Sequence, residues 1–318
     1  MIPSNNKWSV QDSKLLISLL TGSKSYSNEE IASMLNRSEP AISRKITLLI
    51  NKGLIEKVRY KKNDHYQNSS ELIAVVNDIH VPFQDEEALD LLYLFLDETN
   101  PDRIIINGDM LDFYALSKFD KNPQREESLQ DEIDMAVEIL ETFRSICPNS
   151  KIDFIEGNHE ARLRKYLNAH SEIGSLRGLK LENLLNLEEL DIKCHVALME
   201  QRDNFININN KVLVGHFNKV AKHSAYTAKA LVEQYNMNIV HGHVHRGGLH
   251  LKRTFSNELF GIENFCLCNL SSVEYIKHPN WQQGFTILHI PNDDTKNVFY
   301  SMIEIRDKKF FYNGKIYE

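Results

Sequence analysis

Eight residues of this chain have the types and spacing to hold metal ions: Asp78 and His80, Asp109, Asn158 and His159, His216, and His243 and His245. Carboxylate, amide and imidazole groups all bind divalent cations. A set with oxygen and nitrogen donors but no thiolate suits Mn²⁺, Fe, Ni²⁺ or Zn²⁺ rather than Ca²⁺. Taken singly, each segment has a plain structural reading: His243-x-His245 fits a surface strand, and Gly157-Asn158-His159-Glu160 fits a turn. Taken in succession, they share one feature: every group ends an apolar, β-branched run.

Those runs are the elements that must position them. Leu72-Ile73-Ala74-Val75-Val76-Asn77-Asp78-Ile79-His80 reads as a buried strand, and on a strand positions 78 and 80 project to the same side. Further strands are expected at 103–109, 151–160, 211–216 and 238–245, with helices at 85–97 and 128–146, a helical stretch over 161–190, and a helix ending near Tyr235. From Phe265 to Tyr312 the chain reads mostly as strands. Strands alternating with helices, each strand ending in a polar group, place a site at the carboxyl edge of an α/β sheet.

At 318 residues, with 42% hydrophobic and 25% charged residues, the composition is that of a globular protein with room for one large domain and one small one. No apolar run approaches the ~20 residues that cross a bilayer, and the first residues lack the apolar core of a secretion signal. The cysteines (Cys147, Cys194, Cys266, Cys268) have no zinc-finger spacing, and Cys266-x-Cys268 reads as strand packing. A reduced, cytoplasmic protein is expected. The net charge of -7 is unevenly spread. Residues 1–70 hold 11 Lys/Arg against 6 Asp/Glu, a net of +5, so the remainder carries -12. A basic module, 1–68, joined to an acidic one, 72–318, suggests two jobs.

The basic module reads as three helices. The first spans Trp8 to Leu20. Ser27 and Glu30 form a capping box for the second, and Ser38 caps the third, which turns Ile42, Ile46, Leu49 and Ile50 inward. An alternating basic stretch, 54–64, follows. This order resembles a winged helix-turn-helix module. In such modules the third helix enters a groove and the hairpin touches phosphates, so the resemblance places Arg44, Lys45, Arg59, Lys61 and Lys62 toward nucleic acid, DNA more than RNA.

For the larger module, Asp78-x-His80, Gly108-Asp109, Gly157-Asn158-His159-Glu160, Gly215-His216 and Gly242-His243-x-His245, in that order, resemble the motif set of the calcineurin-like metallophosphoesterases. The resemblance implies a four-layer αββα sandwich. It also implies two divalent ions, Mn²⁺ being the family expectation. One would be held by Asp78, His80, Asp109 and His245, and the other by Asp109, Asn158, His216 and His243. Two such ions against two carboxylates leave about +2 to attract a phosphoester, with a polarised water as nucleophile. His159 is expected to protonate the leaving oxygen and Arg162 to hold a phosphate oxygen, while Asp112 is expected to play a supporting part.

Together the modules point to a phosphodiesterase or nuclease working on DNA, in a layout that resembles phage and prophage proteins. The alternatives are a phosphomonoesterase or cyclic-nucleotide phosphodiesterase that only docks on DNA, and a non-catalytic DNA-binding regulator. No membrane association is expected, and a dimer is compatible with the layout.

Overall fold

The computed structural model describes residues 8, 10–21, 26, 28–51, 70–118, 127–196, 203–255, 257–271, 279–295 and 297–318. The expected basic hairpin, with Arg59, Lys61 and Lys62, and the capping residue Ser27 lie outside them.

Three helices open the chain: α1 (Val10–Thr21), α2 (Asn28–Leu35) and α3 (Glu39–Asn51). Their apolar stripes meet in a small core of Leu16, Ile31, Ile42 and Leu49. Asp12 of α1 pairs with Arg37 at 2.8 Å, and the Arg37 guanidinium lies over the Trp8 ring.

The β-branched run expected at 72–80 forms β1 (Ser70–Val76), which stops short of its polar end. After it come α4 (Glu86–Thr99), β2 (Arg103–Asn107), α5 (Leu129–Ile146) and β3 (Lys151–Ile155). Asp85 caps α4 by accepting hydrogen bonds from the amides of Glu87 and Ala88. A Ser128–Asp131 capping box opens α5. The 161–190 stretch is α6 (Glu160–Ala169) followed by two single turns, α7 (Ser171–Gly174) and α8 (Leu181–Leu184). Then come β4 (Ile192–His195), β5 (Phe205–Ile208), β6 (Val212–Gly215), α9 (Tyr226–Tyr235) and β7 (Asn238–His241). The chain ends in β8 (Gly247–Arg253), β9 (Glu258–Asn264), β10 (Gln283–Pro291), β11 (Phe299–Ile305), β12 (Phe310–Tyr312) and β13 (Lys315–Tyr317). The strands β4, β5, β8, β9 and β13 are not foreseen in the apolar pattern, because each is three or four residues long or has charged, amide or glycine residues along it.

One sheet has the order β11-β10-β1-β2-β3-β4, with β1 to β4 parallel. The other has the order β5-β6-β7-β9-β8, with β6, β7 and β9 parallel. Between them Ile73, Val75, Ile105 and Ile155 of the first sheet meet Val212, Val214, Val240 and Ile262 of the second. The first sheet's outer face packs on α4 and α5 through Leu92, Phe95, Leu140 and Phe143. The second packs on α9 through Leu231 and Val232. The layers are therefore helix, sheet, sheet, helix. Each fully buried Ile, Leu or Phe contributes about 1.5–3 kcal/mol toward this stacking. Among the described residues no helix is long and apolar enough to cross a membrane.

Candidate metal centre

The parallel strands β1, β2 and β3 end at the same edge, and β6 and β7 of the facing sheet end there too. The turns after these five strands carry all eight expected groups. Here the structure corrects one premise of the sequence reading. Asp78 and His80 are not strand residues: both lie beyond Val76 with left-handed backbone (φ 53° each). Asp109, His243 and His245 are left-handed as well, with φ of 50°, 75° and 56°. Five non-glycine residues in this sparsely populated region cost on the order of 1–3 kcal/mol each, a strain that the surrounding hydrogen bonds must hold. The turns aim side chains from both sheets into one space, which straight strands could not do.

The holding bonds are specific. The Asp78 amide donates to Gly108 O (3.1 Å) and the His80 amide to Asp109 O (3.0 Å), tying the first turn to the second. Asp78 Oδ2 accepts from the His243 amide at 2.9 Å, and Asp109 Oδ1 accepts from the His159 amide at 2.9 Å. Glu160, only 1% exposed, accepts from the amides of Asp109, Leu111 and Gly157. Burial first, and then the Asp109 charge, push its carboxyl up to about 7. Two glycines are required by close approach. A Cβ at Gly108 (φ 82°) would lie 2.5 Å from His216 Nδ1, and one at Gly157 would lie 2.2 Å from Asp109 Oδ1.

The side chains converge in two overlapping groups. In one, His245 Nε2 lies 3.0 Å from both Asp78 Oδ1 and His80 Nε2. In the other, His216 Nε2 lies 3.0 Å from Asp109 Oδ2 and 3.2 Å from Asn158 Oδ1, with His243 beside them. Asp109 Oδ2 also lies 3.9 Å from His80 Nε2, so this carboxylate stands between the groups.

The set fits divalent cations on its own chemistry. His216 Nδ1 donates to Asn107 O at 2.8 Å, which keeps a proton there and turns Nε2 inward as the nitrogen that a cation would take on displacing its proton. Asp78 Oδ1 is buried and faces the Nε2 atoms of His245 and His80 at 3.0 and 3.7 Å. Inward lone pairs on nitrogens and carboxylates repel one another unless protons or cations lie among them. Burial opposes charge on His216 and His245, but the neighbouring Asp109 and Asp78 prevail and raise both to about 9. Burial likewise opposes charge on Asp78 and Asp109, and the surrounding histidines nevertheless hold both carboxylates low. His243 is lowered to about 4 by burial and by His216, and stands ready as a neutral ligand.

His159 joins His80 and Asp109 in a further group that could hold a metal, its Nε2 lying 3.8 Å from Asp109 Oδ2. Its Nδ1 bonds to Asp112 O at 2.9 Å and faces Asp112 Oδ2 at 3.4 Å, while Nε2 accepts from Arg162 Nη2 at 3.1 Å. Asp112 Oδ2 also meets His80 Nδ1 at 3.3 Å. Arg162 Nη1 donates to Asp112 O at 2.8 Å. Arg162 therefore bonds to both His159 and Asp112. Asp112 was legible only as the second acid of Gly108-Asp109-x-x-Asp112, and its link to two histidines is tertiary.

The structure also brings together residues that the sequence keeps apart. Cys266 and Cys268, buried and in no disulfide, offer thiols to a group with His245. His241 is fully buried with no hydrogen-bond partner for either ring nitrogen, and burial keeps it neutral. His223 is exposed and its ring lies beside that of Tyr226.

Of the residues expected to face DNA, Arg44 is engaged in ion pairs. Its guanidinium meets Glu86 at 2.7 Å and Asp90 at 3.3 Å, both on α4 of the larger domain. Ser145 of α5 reaches Thr47 O at 3.5 Å on the same helix. Lys45 lies 5.2 Å from the centre of the Trp8 ring.

Two facing sheets, flanking helices and an edge that gathers aspartate, asparagine and histidine define a metal-dependent phosphoester hydrolase. Residues 72–247 match the model of the calcineurin-like phosphoesterases, and the chain belongs to that family. Among curated proteins it is similar to the Gene 54 proteins of Mycobacterium phages L5 and D29. Each is 25% identical, over 262 and 267 residues respectively, covering 78% of this chain and 99% of the phage protein. Among solved structures it resembles Vacuolar Protein Sorting 29 from Cryptosporidium parvum (11% identity, 77% of this chain, 96% of that one, TM-score 0.39). It also resembles Vps29 of Chaetomium thermophilum (10% identity, 77% and 90%, TM-score 0.37).

Proposed function

We propose that this hydrolase is a dinuclear phosphodiesterase acting on nucleic acid, DNA before RNA, with Mn²⁺ as its working metal. The observation that supports the hydrolytic part is the His159–Asp112–Arg162 cluster beside Asp109. Asp78, His80, Asp109 and His245 would hold one ion, and Asp109, Asn158, His216 and His243 the other. Bound there, the ions supply Lewis acidity toward a phosphoryl oxygen and toward water. The chain's own part is acid–base and positional. His159, with Nδ1 bonded to Asp112 O, would give the leaving oxygen a proton from Nε2 when the ring is in its imidazolium form and Arg162 has turned from Nε2 to the phosphate. Once turned, the guanidinium offers charge to a phosphate oxygen.

The nucleic-acid part rests on charge: a +5 module joined to a -12 domain. Lys45, Arg59, Lys61 and Lys62 are the proposed phosphate contacts. Arg44 can join them only by leaving Glu86 and Asp90. The test is Mn²⁺-dependent cleavage of labelled single- and double-stranded DNA beside bis-p-nitrophenyl phosphate, with the full chain and a Lys61→Ala/Lys62→Ala variant. DNA cleavage that falls in the variant and loses salt dependence, with the small diester unaffected, supports the proposal. Hydrolysis of small esters without any DNA cleavage would overturn the nucleic-acid part.

A further inference from the structure

Next to the oxygen and nitrogen donors of the centre stands a pair of sulfurs. Cys266 and Cys268 are 0% and 2% exposed, and their thiols and one ring nitrogen of His245 all lie within 4.8 Å of one another. The segment that holds them is pinned on both sides. Toward the first ligand turn, the Leu267 amide donates to Asp78 O at 3.1 Å and the Asn269 amide to Phe83 O at 2.7 Å. Toward β10, the Cys266 amide donates to Gln282 O (3.1 Å), the Gly284 amide to Cys266 O (3.0 Å) and the Gln283 side-chain amide to Cys268 O (2.9 Å). Donor atoms on a backbone held this way are in place before an ion arrives, as a metal site requires.

His245 distinguishes the cluster from plain packing. A metal-ligating histidine normally donates from its other nitrogen to a carbonyl or carboxylate, as His216 Nδ1 does to Asn107 O. His245 Nε2 faces Asp78 and His80, but its Nδ1 is buried with no hydrogen bond to oxygen or nitrogen among the described residues. Among those residues, the metal-competent groups that gather with His245 are Asp78 and His80 in one cluster and the two thiols in another. The second cluster is a different donor class. Thiolates select soft ions such as Zn²⁺ or Cu⁺, whereas carboxylate and water suit Mg²⁺ and Mn²⁺. Two buried thiolates without a counter-ion are costly, and one divalent cation neutralises both. The Cys266 thiol donates to Gln282 O at 3.4 Å, so its proton has an acceptor until a cation displaces it.

We propose that Cys266, Cys268 and His245 form a separate metal site for a thiophilic cation of the Zn²⁺, Cd²⁺ or Cu⁺ class, sharing His245 with the phosphoesterase centre. Each thiol gives its proton to solvent as a sulfur–metal bond forms. A divalent ion thus replaces two protons with no net change of charge at the sulfurs.

The test uses the full chain, reduced and kept from oxygen at pH 7.5 in excess Mn²⁺, titrated with Cd²⁺ alone. The ultraviolet thiolate-to-Cd²⁺ charge-transfer band reports sulfur ligands only, so ions entering the oxygen and nitrogen set stay silent and no turnover is needed. The band should rise to a plateau worth two thiolates per chain. The chain has four cysteines, and two double variants divide them. Cys147→Ser/Cys194→Ser should keep the whole band, and Cys266→Ser/Cys268→Ser should lose it. If the second variant fails to fold, the first decides alone, because only Cys266 and Cys268 remain in it. His245→Gln should raise the Cd²⁺ midpoint about tenfold or more. No band at saturating Cd²⁺, or a band lost with Cys147 and Cys194, would overturn the site and leave the thiols as packing. An unchanged midpoint in His245→Gln would overturn the sharing of that ring. Absent ester hydrolysis with the band intact would count against the phosphodiesterase reading alone.

Discussion

The metal centre and the three-helix module place their charged groups by different means. At the centre, Asp78, Asp109 and His243 are held through backbone amides and carbonyls of other turns, and every ligand turn follows a buried strand end. In the module, the key contact to the larger domain is made by the end of a long side chain, Arg44, reaching two acids on α4. Backbone-anchored groups lose little freedom when they bind, so they suit chemistry that tolerates small displacements poorly. A flexible arginine on a half-exposed surface suits attachment that can be exchanged, and Asp90 shows how near the balance lies. Burial, against the opposing pull of Arg44, raises its carboxyl to about 7.

The sharpest way to break the comparison is at its rigid end. Asp109→Ala should lower turnover by about three orders of magnitude and strip metal from both groups, as read by elemental analysis, because its carboxylate stands between them. His159→Gln should cost ~10²–10⁴-fold in kcat with metal content unchanged. A variant that lost metal as well would mean that His159 is a ligand. Asp112→Asn should cost roughly 10–100-fold, with a displaced acid limb in the pH–rate profile, since it removes the carboxylate charge that faces His159 Nδ1 at 3.4 Å and His80 Nδ1 at 3.3 Å while leaving the main-chain bond in place.

Proton linkage gives a smaller effect with a definite sign. His216 and His245, raised to about 9, hold protons at neutral pH in the metal-free protein. An incoming cation must displace them, so metal affinity should rise between pH 7 and pH 9. Titration calorimetry in buffers of different ionisation enthalpy should show proton release at pH 7.5 that shrinks toward pH 9. In the metal-free protein the stability these two histidines contribute is full below their unfolded value near 6.5 and is lost as pH rises through about 9.

The smallest effect tests the other region. Arg44→Ala should lower the urea midpoint by the equivalent of about 1 kcal/mol, the scale of a partly screened ion pair. Hydrolysis of a small diester should stay unchanged. If Arg44→Ala instead reduced diester turnover strongly, the module would be part of the catalytic architecture rather than an attachment to it.

The sequence by itself determined the identity and order of the metal-competent groups. The pattern of apolar runs ending in Asp, Asn or His is local, and burial of those runs is dictated by composition. It also determined α4, α5 and their caps, because Asp85, Ser128 and Asp131 act on amides within three residues of themselves. Only the tertiary structure decided the rest. The left-handed turns at Asp78 and His80 were invisible because side-chain alternation predicts a strand to its last residue. The bonds that stop it come from Gly108 and Asp109, about thirty positions away. The partnership of Asp112 with His80 and His159, the turn of Arg44 toward α4, and the placing of Trp281 over His245 all join residues that no periodicity connects. Periodicity reports which face of an element is apolar. It does not report which other element that face will meet, and a site assembled from the ends of five strands in two sheets depends on that meeting.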